Sequence, residues 1–290
     1  MGVGEDFRTF CSNLTVNNRE SIGQRYQLIT RRLNLDFWDQ DSKTNHSLYV
    51  GSYGRGTAIR GFSDLDMIFR LPYAYYEKYN GYSGNGQSAM LQDVRNSLQK
   101  TYPTTHIGGD GQVVEISFKD GVDFEVVPAF VNKDESYTYP DSNGGGSWRT
   151  TDPKPEIAEV SSADTKYNGN LKRLCRMMRA WKKEWTAPMG GLLIDTLAWR
   201  FLKTWEHREK SYVYYDWMSR DFFDYMAEEP QREYWNALGS GQRIYSKGMF
   251  QYKARRCCNL AKEAIDYQSS DKTYSARKKW REIYGTSYPS

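Results

Sequence analysis

Two aspartates, Asp64 and Asp66, stand two residues apart in the segment GFSDLDMIFRLP, whose other residues are mostly apolar. Alternate residues of a strand point to the same face of a sheet, so both carboxylates would share one face while Leu65 and Met67 pack on the other. Two ionised carboxylates that lie so close repel each other. A divalent cation such as Mg²⁺, which prefers carboxylate and phosphate oxygens, removes this repulsion. The pair therefore predicts a metal site, and two solvent-facing acids on an edge strand are the alternative.

A site with two such ions activates an attacking hydroxyl and neutralises a leaving pyrophosphate. It requires a third acid from a neighbouring strand. The segment GVDFEVVPAF offers two candidates, Asp123 and Glu125, which would share one strand face. Solvent-facing acids are again the alternative. The residues by themselves leave the choice between the two candidates open.

The segment GSYGRGT, residues 51–57, has a composition that suits phosphate binding. Gly51 and Ser52 precede a turn in which backbone N–H groups and a hydroxyl can surround phosphate oxygens. The segment matches neither the Walker pattern, GxxxxGK followed by Ser or Thr, nor the dinucleotide pattern GxGxxG. An ordinary glycine-rich turn is therefore the alternative.

Hydrophobic periodicity and turn residues predict the elements that would position these side chains. A helix is expected over residues 5–45, and the KDG turn should join two strands into a hairpin. The second half of the chain is expected to be mostly helical, so the fold class is α+β. The remaining predicted elements are strands over Leu65–Leu71, Val113–Phe118 and Val122–Phe130, a helix over 88–101, a flexible loop over 140–147, and helices from residue 157 onward.

Composition limits the class of protein further. The chain has 290 residues, enough for one large domain or two smaller ones, and a net charge of +4. It contains no run of 18 apolar residues and no N-terminal signal sequence, so no membrane partner is expected. Its four cysteines form no CxxC pair, which predicts free thiols in a reducing compartment.

Basic residues cluster in the second half of the chain. Acidic residues interleave the C-terminal cations, so we expect a solvated surface there and no nucleic-acid partner. The C-terminal cations are Arg243, Lys247, Lys253, Arg255, Arg256, Lys278 and Lys279. The predicted helix NLKRLCRMMRAWKKEW also carries a basic face.

Taken together, these motifs resemble the DNA polymerase β-like nucleotidyltransferases. More narrowly, they resemble the bacterial cGAS/DncV-like nucleotidyltransferases (CD-NTases) of antiphage defence. The resemblance rests on G-S-x-x-x-G-T, on S-D-x-D at residues 63–66, and on an acid three residues before the proline of VVPAF. It implies a polymerase β-like palm with a small mixed sheet over residues 1–155, including the N-terminal helix. It also implies a helical domain over 156–290 that packs against the palm and closes the active-site cleft.

The same resemblance implies roles for individual residues. Glu125 aligns with the third acid and would bind two Mg²⁺ ions with Asp64 and Asp66, with Mn²⁺ as a substitute, while Asp123 is the runner-up. Arg179 aligns with a lysine that holds the donor triphosphate, and Asp195 aligns with a structural acid. The residues expected to bind nucleotide are Gly51, Ser52, Thr57, Ser63, Arg179, Lys182 and Gly191.

The function implied is a bacterial cytoplasmic enzyme that joins NTPs, with ATP and GTP favoured, into a cyclic di- or oligonucleotide and releases pyrophosphate. The product would be a second messenger for a downstream effector in antiphage signalling. One alternative is the same chemistry on another acceptor, such as a linear oligonucleotide, a tRNA end, a protein or a small molecule. Another is an inactive protein that binds nucleotide or nucleic acid.

Overall fold

The computed structural model describes residues 2–61 and 64–290, and their chain forms two compact units. The sheet unit contains Asn17–Gly54 and Gly61–Lys154. The helical unit contains Met1–Val16, Arg55–Arg60 and Pro155–Ser290. The chain thus enters the helical unit briefly at residues 55–60, between the two parts of the sheet unit.

A mixed sheet forms the centre of the sheet unit. Its main path has the order β1-β2-β5-β4-β3; β6 pairs with β5 and with β7. Strands β2 and β5 are parallel, and the other pairs are antiparallel. The strands are β1 (Ser47–Tyr49), β2 (Leu65–Arg70), β3 (His106–Asp110), β4 (Val113–Ser117), β5 (Asp123–Val131), β6 (Tyr137–Asp141) and β7 (Ser147–Thr151), with β8 (Tyr234–Asn236) and β9 (Arg243–Tyr245) pairing in the helical unit.

The second half of the chain is mostly helical, as predicted, and the first half also contains helices. Four of the described helices belong to the sheet unit: α2 (Arg19–Phe37), α3 (Gly51–Gly54), α4 (Tyr73–Asn80) and α5 (Gly86–Gln99). The helical unit contains α1 (Val3–Asn13), nearly all of α6 (Pro153–Lys166), and α7 (Asn170–Glu184), α8 (Gly191–Thr204), α9 (Tyr215–Glu228), α10 (Gln251–Ser269) and α11 (Thr273–Tyr284). None of these described helices is long and apolar enough to cross a membrane.

The sheet is built as its sequence pattern predicts. In β5 the alternate residues Phe124 and Val126 are fully buried, whereas Asp123 and Glu125 remain partly exposed on the other face. The KDG turn joins β4 and β5 into the expected hairpin. Helix α5 begins after Asn85, whose side chain accepts a hydrogen bond from the Ser88 N–H at 2.8 Å, and it packs on the sheet.

The helical unit has its own core. Leu171, Leu174, Met178 and Trp181 recur at helical spacing on α7 and are fully buried. The cysteines are free, as expected, and all four are buried in this core.

The N-terminal region differs from its prediction in two ways. Residues 5–45 form two helices, because the chain leaves the helical conformation between Asn13 and Arg19. Helix α1 also belongs to the helical unit, although we expected it in the palm. Phe7 packs edge-on against Trp280 with ring centroids 5.0 Å apart, and Phe10 contacts Tyr284 at 4.7 Å. These aromatic contacts, which join the two ends of the chain, place α1 there.

The prediction of a flexible loop over residues 140–147 is wrong. The segment forms the end of β6, a 3₁₀ turn and the start of β7. Gly144, Gly145 and Gly146 have φ angles of 62°, 94° and 99°. Such angles favour glycine, so the glycines make a tight turn between two paired strands.

Candidate active site

The parallel pairing of β2 with β5 brings two of the predicted acids together. Asp66 lies directly opposite Glu125 in this register, and both are partly buried. Burial, the charges of Asp66 and Asp64, and a hydrogen bond with Asp66 raise the pKa of Glu125 to about 7. The two carboxylates therefore form a close pair that disfavours a second negative charge.

The other two acids lie at the edge of this pair. Asp64 directly precedes β2 and is exposed, and its charge contributes to the raised pKa of Glu125. Asp123 begins β5, one residue before the first residue that pairs with β2, and it lies opposite Ser117 of β4. The register thus places Glu125, and not Asp123, beside Asp66.

A fifth acid, Glu115, was missed by the sequence analysis. It lies opposite Glu125 on the other neighbouring strand, β4, and its charge also raises the pKa of Glu125. Ser117 donates a hydrogen bond to Glu115 at 3.0 Å. The alternation of VVEIS together with the KDG hairpin register was the signal that would have placed Glu115 in this row.

Gly51 is required by its contact with Asp66. Its φ is 57°, and a Cβ built on it would lie 1.8 Å from the Asp66 Oδ2 atom. The neighbouring Val50 N–H donates to the Asp66 carbonyl at 2.9 Å. Gly51 and Ser52 form the start of the short helix α3, so the glycine-rich segment lies directly against the acidic pair.

We expect Gly51→Ala to impair the site because the added methyl group must displace the Asp66 carboxylate and also sits at an unfavourable φ. A rate loss of at least about 100-fold is expected from such a displacement, together with a destabilisation of about 1–3 kcal/mol. Gly23→Ala, at a partly buried helical position with nothing near its Cβ, is the matched control. Equal activity of the two variants would show that the close approach of Gly51 to Asp66 has no role.

The acidic pair fits a hard divalent cation by the chemistry of its donors. Asp64, Asp66 and Glu125 offer carboxylate oxygens only, which Mg²⁺ prefers. The raised pKa of Glu125 arises from burial and from the charges of neighbouring acids, which a bound cation would offset. Among the described residues, no three His, Cys, Asp or Glu side chains already surround one point as metal ligands.

Arg179, which was predicted to contact the triphosphate, is bound by partners within the helical unit, and its contact with triphosphate stays a prediction. Its side chain is 8% exposed, and it donates to the two carboxylate oxygens of Asp195 at 2.6 and 2.9 Å. It also donates to the carbonyl oxygens of Cys175 and Gly191, each at 3.2 Å. The guanidinium is committed to holding α7 against α8, and Asp195 has the structural role that was expected of it.

Thr57 is fully buried and donates a hydrogen bond to the Asp195 Oδ2 atom at 3.0 Å. Its role in nucleotide binding stays a prediction. Ser63, the remaining predicted residue of the glycine-rich region, lies outside the described residues.

Lys182 and Gly191 keep the features expected of anion-binding residues. Gly191 begins α8, whose first backbone N–H groups are not used within the helix. Lys182 is partly buried on α7, and burial together with the charges of Lys247 and Arg179 lowers its pKa. Within the described part of the chain, Lys182 and Lys247 form no ion pair.

Substitution of Arg179 should therefore lower stability, whereas substitution of Lys182 should weaken the binding of NTP. Arg179→Ala should lower the free energy of unfolding by at least about 3 kcal/mol, because it breaks a buried ion pair. Lys182→Ala should leave stability nearly unchanged and raise the KM for NTP about 10-fold or more. Denaturant unfolding and steady-state kinetics measure the two effects. An Arg179→Ala protein of normal stability with a raised KM would restore the original assignment.

The C-terminal cations mostly have partners within the helical unit. Arg255 pairs with Asp224 and Glu228, and Lys279 pairs with Glu263 at 2.9 Å. Lys253 donates to the carbonyl oxygen of Trp185 at 2.7 Å. These three cations stabilise the packing of helices.

Comparison with known proteins agrees with this arrangement. A model of the Second Messenger Oligonucleotide or Dinucleotide Synthetase (SMODS) domain family matches residues 1–163. A probable cyclic nucleotide synthase of Bacillus cereus is 21% identical over an alignment of 276 positions, and the match covers 83% of this chain and 81% of that protein.

Solved structures share the fold at low sequence identity. CdnC of Escherichia coli, solved in a complex with HORMA-deltaN, is 13% identical with a TM-score of 0.69, covering 99% of this chain and 98% of that one. The CD-NTase CdnG of Bradyrhizobium diazoefficiens, solved with GTP, is 11% identical with a TM-score of 0.68, covering 98% and 95%. Apo DncV of Vibrio cholerae is 15% identical with a TM-score of 0.63, covering 84% and 69%.

These comparisons confirm the resemblance to the CD-NTases and the α+β fold. The match to the family covers more than half of the chain and includes Asp64, Asp66 and Glu125. The protein belongs to the SMODS family and is a nucleotidyltransferase.

Proposed function

We propose that the protein is a Mg²⁺-dependent synthase that joins NTPs into a cyclic di- or oligonucleotide and releases pyrophosphate. The observation that carries this proposal is the register of β2 and β5, which sets Asp66 beside Glu125, next to Asp64 and Gly51. The SMODS description and the name of the Bacillus cereus relative support the class of product.

Asp64, Asp66 and Glu125 would hold the metal. When bound, Mg²⁺ supplies positive charge that activates the attacking hydroxyl and stabilises the leaving pyrophosphate. Gly51 leaves room for the Asp66 carboxylate. Glu125 orients the attacking 2′- or 3′-hydroxyl and accepts its proton at a carboxylate oxygen. A second reaction of the same kind closes the ring.

ATP and GTP are the proposed substrates. Solved relatives carry these nucleotides: CdnG was solved with GTP and CdnC with ATP. In the helical unit, Lys182, Lys247 and the N-terminus of α8 are the groups that we propose for the polyphosphate. We propose Lys247 in place of Arg179 as a polyphosphate ligand because the Arg179 guanidinium is already hydrogen-bonded to Asp195.

The proposed role of the product is that of a second messenger. It would act in the cytoplasm of a bacterium and bind a downstream effector in antiphage defence. Support for this role comes from the family description and from the bacterial origin of the relatives.

The test is product identification. The protein is incubated with all four NTPs and Mg²⁺, treated with phosphatase, and the products are analysed by mass spectrometry. A product that keeps as many phosphates as nucleosides after phosphatase, as a ring must, is expected. A product left with one phosphate fewer than nucleosides would mean a linear oligonucleotide, and NTP consumption only with an added tRNA, protein or small molecule would mean another acceptor. Either result would replace the proposed function.

A further inference from the structure

The segment Arg55–Arg60 is held in the helical unit along nearly its whole length. The Gly56 carbonyl accepts a hydrogen bond from Arg176 at 2.8 Å. Ala58 and Ile59 are buried, and the Arg60 N–H donates to the Leu14 carbonyl at 3.0 Å. The segment directly follows the glycine-rich helix α3 and ends four residues before Asp64, so it joins two parts of the candidate active site covalently.

Its first and third residues enter a buried cluster of charges. Arg55 donates from Nε to Asp195 Oδ2 at 2.8 Å and lies 3.4 Å from Glu156 Oε2. Thr57 and Arg179 donate to the same aspartate. Asp195 is fully buried, and Arg55 and Glu156 are 6% and 4% exposed. We call this set the Asp195 cluster: Arg55, Thr57, Glu156, Arg179 and Asp195.

The cluster is an expensive way to stabilise a fold. Its two guanidinium groups and two carboxylates balance in charge, but each must lose its hydration to be buried. Apolar side chains of the same volume stabilise a core as well or better. The charged cluster differs from an apolar core in that its hydrogen bonds are directional. Asp195 accepts hydrogen bonds from the side chains of three residues. Its effect is to fix where residues 55 and 57 lie.

We propose that the Asp195 cluster positions the chain on both sides of residues 55–60, and that Arg55 is a positioning residue for nucleotidyl transfer. The cluster holds the point at which the chain enters the helical unit, and the hydrogen bond from the Arg60 N–H to the Leu14 carbonyl holds the point at which the chain leaves it. Ser52 lies three residues before the first point, and Asp64 lies four residues after the second. Arg55 touches neither substrate nor metal in this role. The inference rests on the proposed function, since it assigns these flanking residues to the reaction.

A second buried ion pair of the helical unit provides a matched control. Arg277 donates to both carboxylate oxygens of Asp6, each at 2.9 Å, and Asp6 is 3% exposed. This pair joins α11 to α1 and lies outside the segment that leads to the active site. It is also an arginine–aspartate pair with a buried carboxylate, and Arg277 is 18% exposed where Arg55 is 6% exposed.

The experiment compares Arg55→Lys with Arg277→Lys in the full chain. Lysine keeps the charge and loses the fork of donors, so both variants should lose some stability. Only Arg55→Lys should lower kcat, by about 100-fold, with the KM for NTP changed less than threefold. Thr57→Val, which removes a single hydroxyl, should also lower kcat, by a smaller factor. This variant replaces Arg55→Lys in the experiment if Arg55→Lys fails to fold.

Hydrogen exchange separates this proposal from the proposed function. Peptides covering residues 49–66 should exchange faster in Arg55→Lys than in the wild type, and at the wild-type rate in Arg277→Lys. If the wild type makes no nucleotide product, the proposed function fails. The exchange result still tests whether the Asp195 cluster positions the chain around residues 55–60. Equal kcat and equal exchange in the two lysine variants would overturn the proposal and leave the Asp195 cluster a structural feature alone.

Discussion

The double substitution Asp64→Asn, Asp66→Asn is expected to reduce product formation below detection while the protein stays folded. Two of the three carboxylates proposed as metal ligands are lost, and an amide binds Mg²⁺ poorly by comparison. Stability should not fall, because the substitution removes two charges that raise the pKa of Glu125. Pyrophosphate release and thermal unfolding measure the two effects.

A matched control is available in the same unit. Asp39 and Asp41 are exposed and have the same spacing as Asp64 and Asp66. Asp39→Asn with Asp41→Asn makes the same change in net charge and removes only an exposed pair with Arg31. This control should keep full activity. Wild-type activity in the Asp64, Asp66 variant would exclude these acids as the metal site.

The second large effect is expected at Glu125. Glu125→Gln should lower the rate by several orders of magnitude, because the proposed metal site loses a carboxylate ligand and the attacking hydroxyl loses its proton acceptor. Asp123→Asn should cost far less, since Asp123 lies outside the register that pairs Glu125 with Asp66. Pyrophosphate release at saturating Mg²⁺ ranks the two variants. The reverse ranking would move the third ligand to Asp123.

The pH dependence of the free energy of unfolding is a second, independent test of Glu125→Gln. Glu125 has a folded pKa of about 7, above its ordinary value of 4.5. The folded state therefore holds a proton that the unfolded state releases, and wild-type stability falls as pH rises from 4.5 to 7. Without metal, Glu125→Gln should show no such loss and should be more stable than the wild type above pH 7. An equal pH dependence in both proteins would show that Glu125 is not the titrating group.

The strands of the candidate site were predictable because their signals are local. The alternation around Asp66 and Glu125 and the KDG turn predict two strands and a hairpin, and the structure has both. That β2 and β5 are neighbours is not a local property. The residues alone left Asp123 and Glu125 equal, and only the register between two strands, whose paired residues are 59 positions apart in sequence, separates them geometrically. Their roles in catalysis stay predictions.

The role of Arg179 was not predictable from the pattern of its helix. It lies two residues from Trp181, on the basic side of α7, and neither spacing nor charge distinguishes it from its solvated neighbours. Its burial follows from the packing of α7 on α8, which places Asp195 against it. The placement of α1 has the same origin. Its aromatic residues fit a core whose other half, near Trp280 and Tyr284, lies at the opposite end of the sequence.

The measurement that tests the central claim most directly is the rate of pyrophosphate release by the wild-type protein as Mg²⁺ is added to a metal-free mixture of ATP and GTP. If the acids of β2 and β5 hold catalytic metal, release should be absent with EDTA, rise with Mg²⁺ to a plateau, and resume when Mn²⁺ replaces Mg²⁺. Release that continues unchanged in EDTA, or that never appears at any concentration of either metal, would contradict the account.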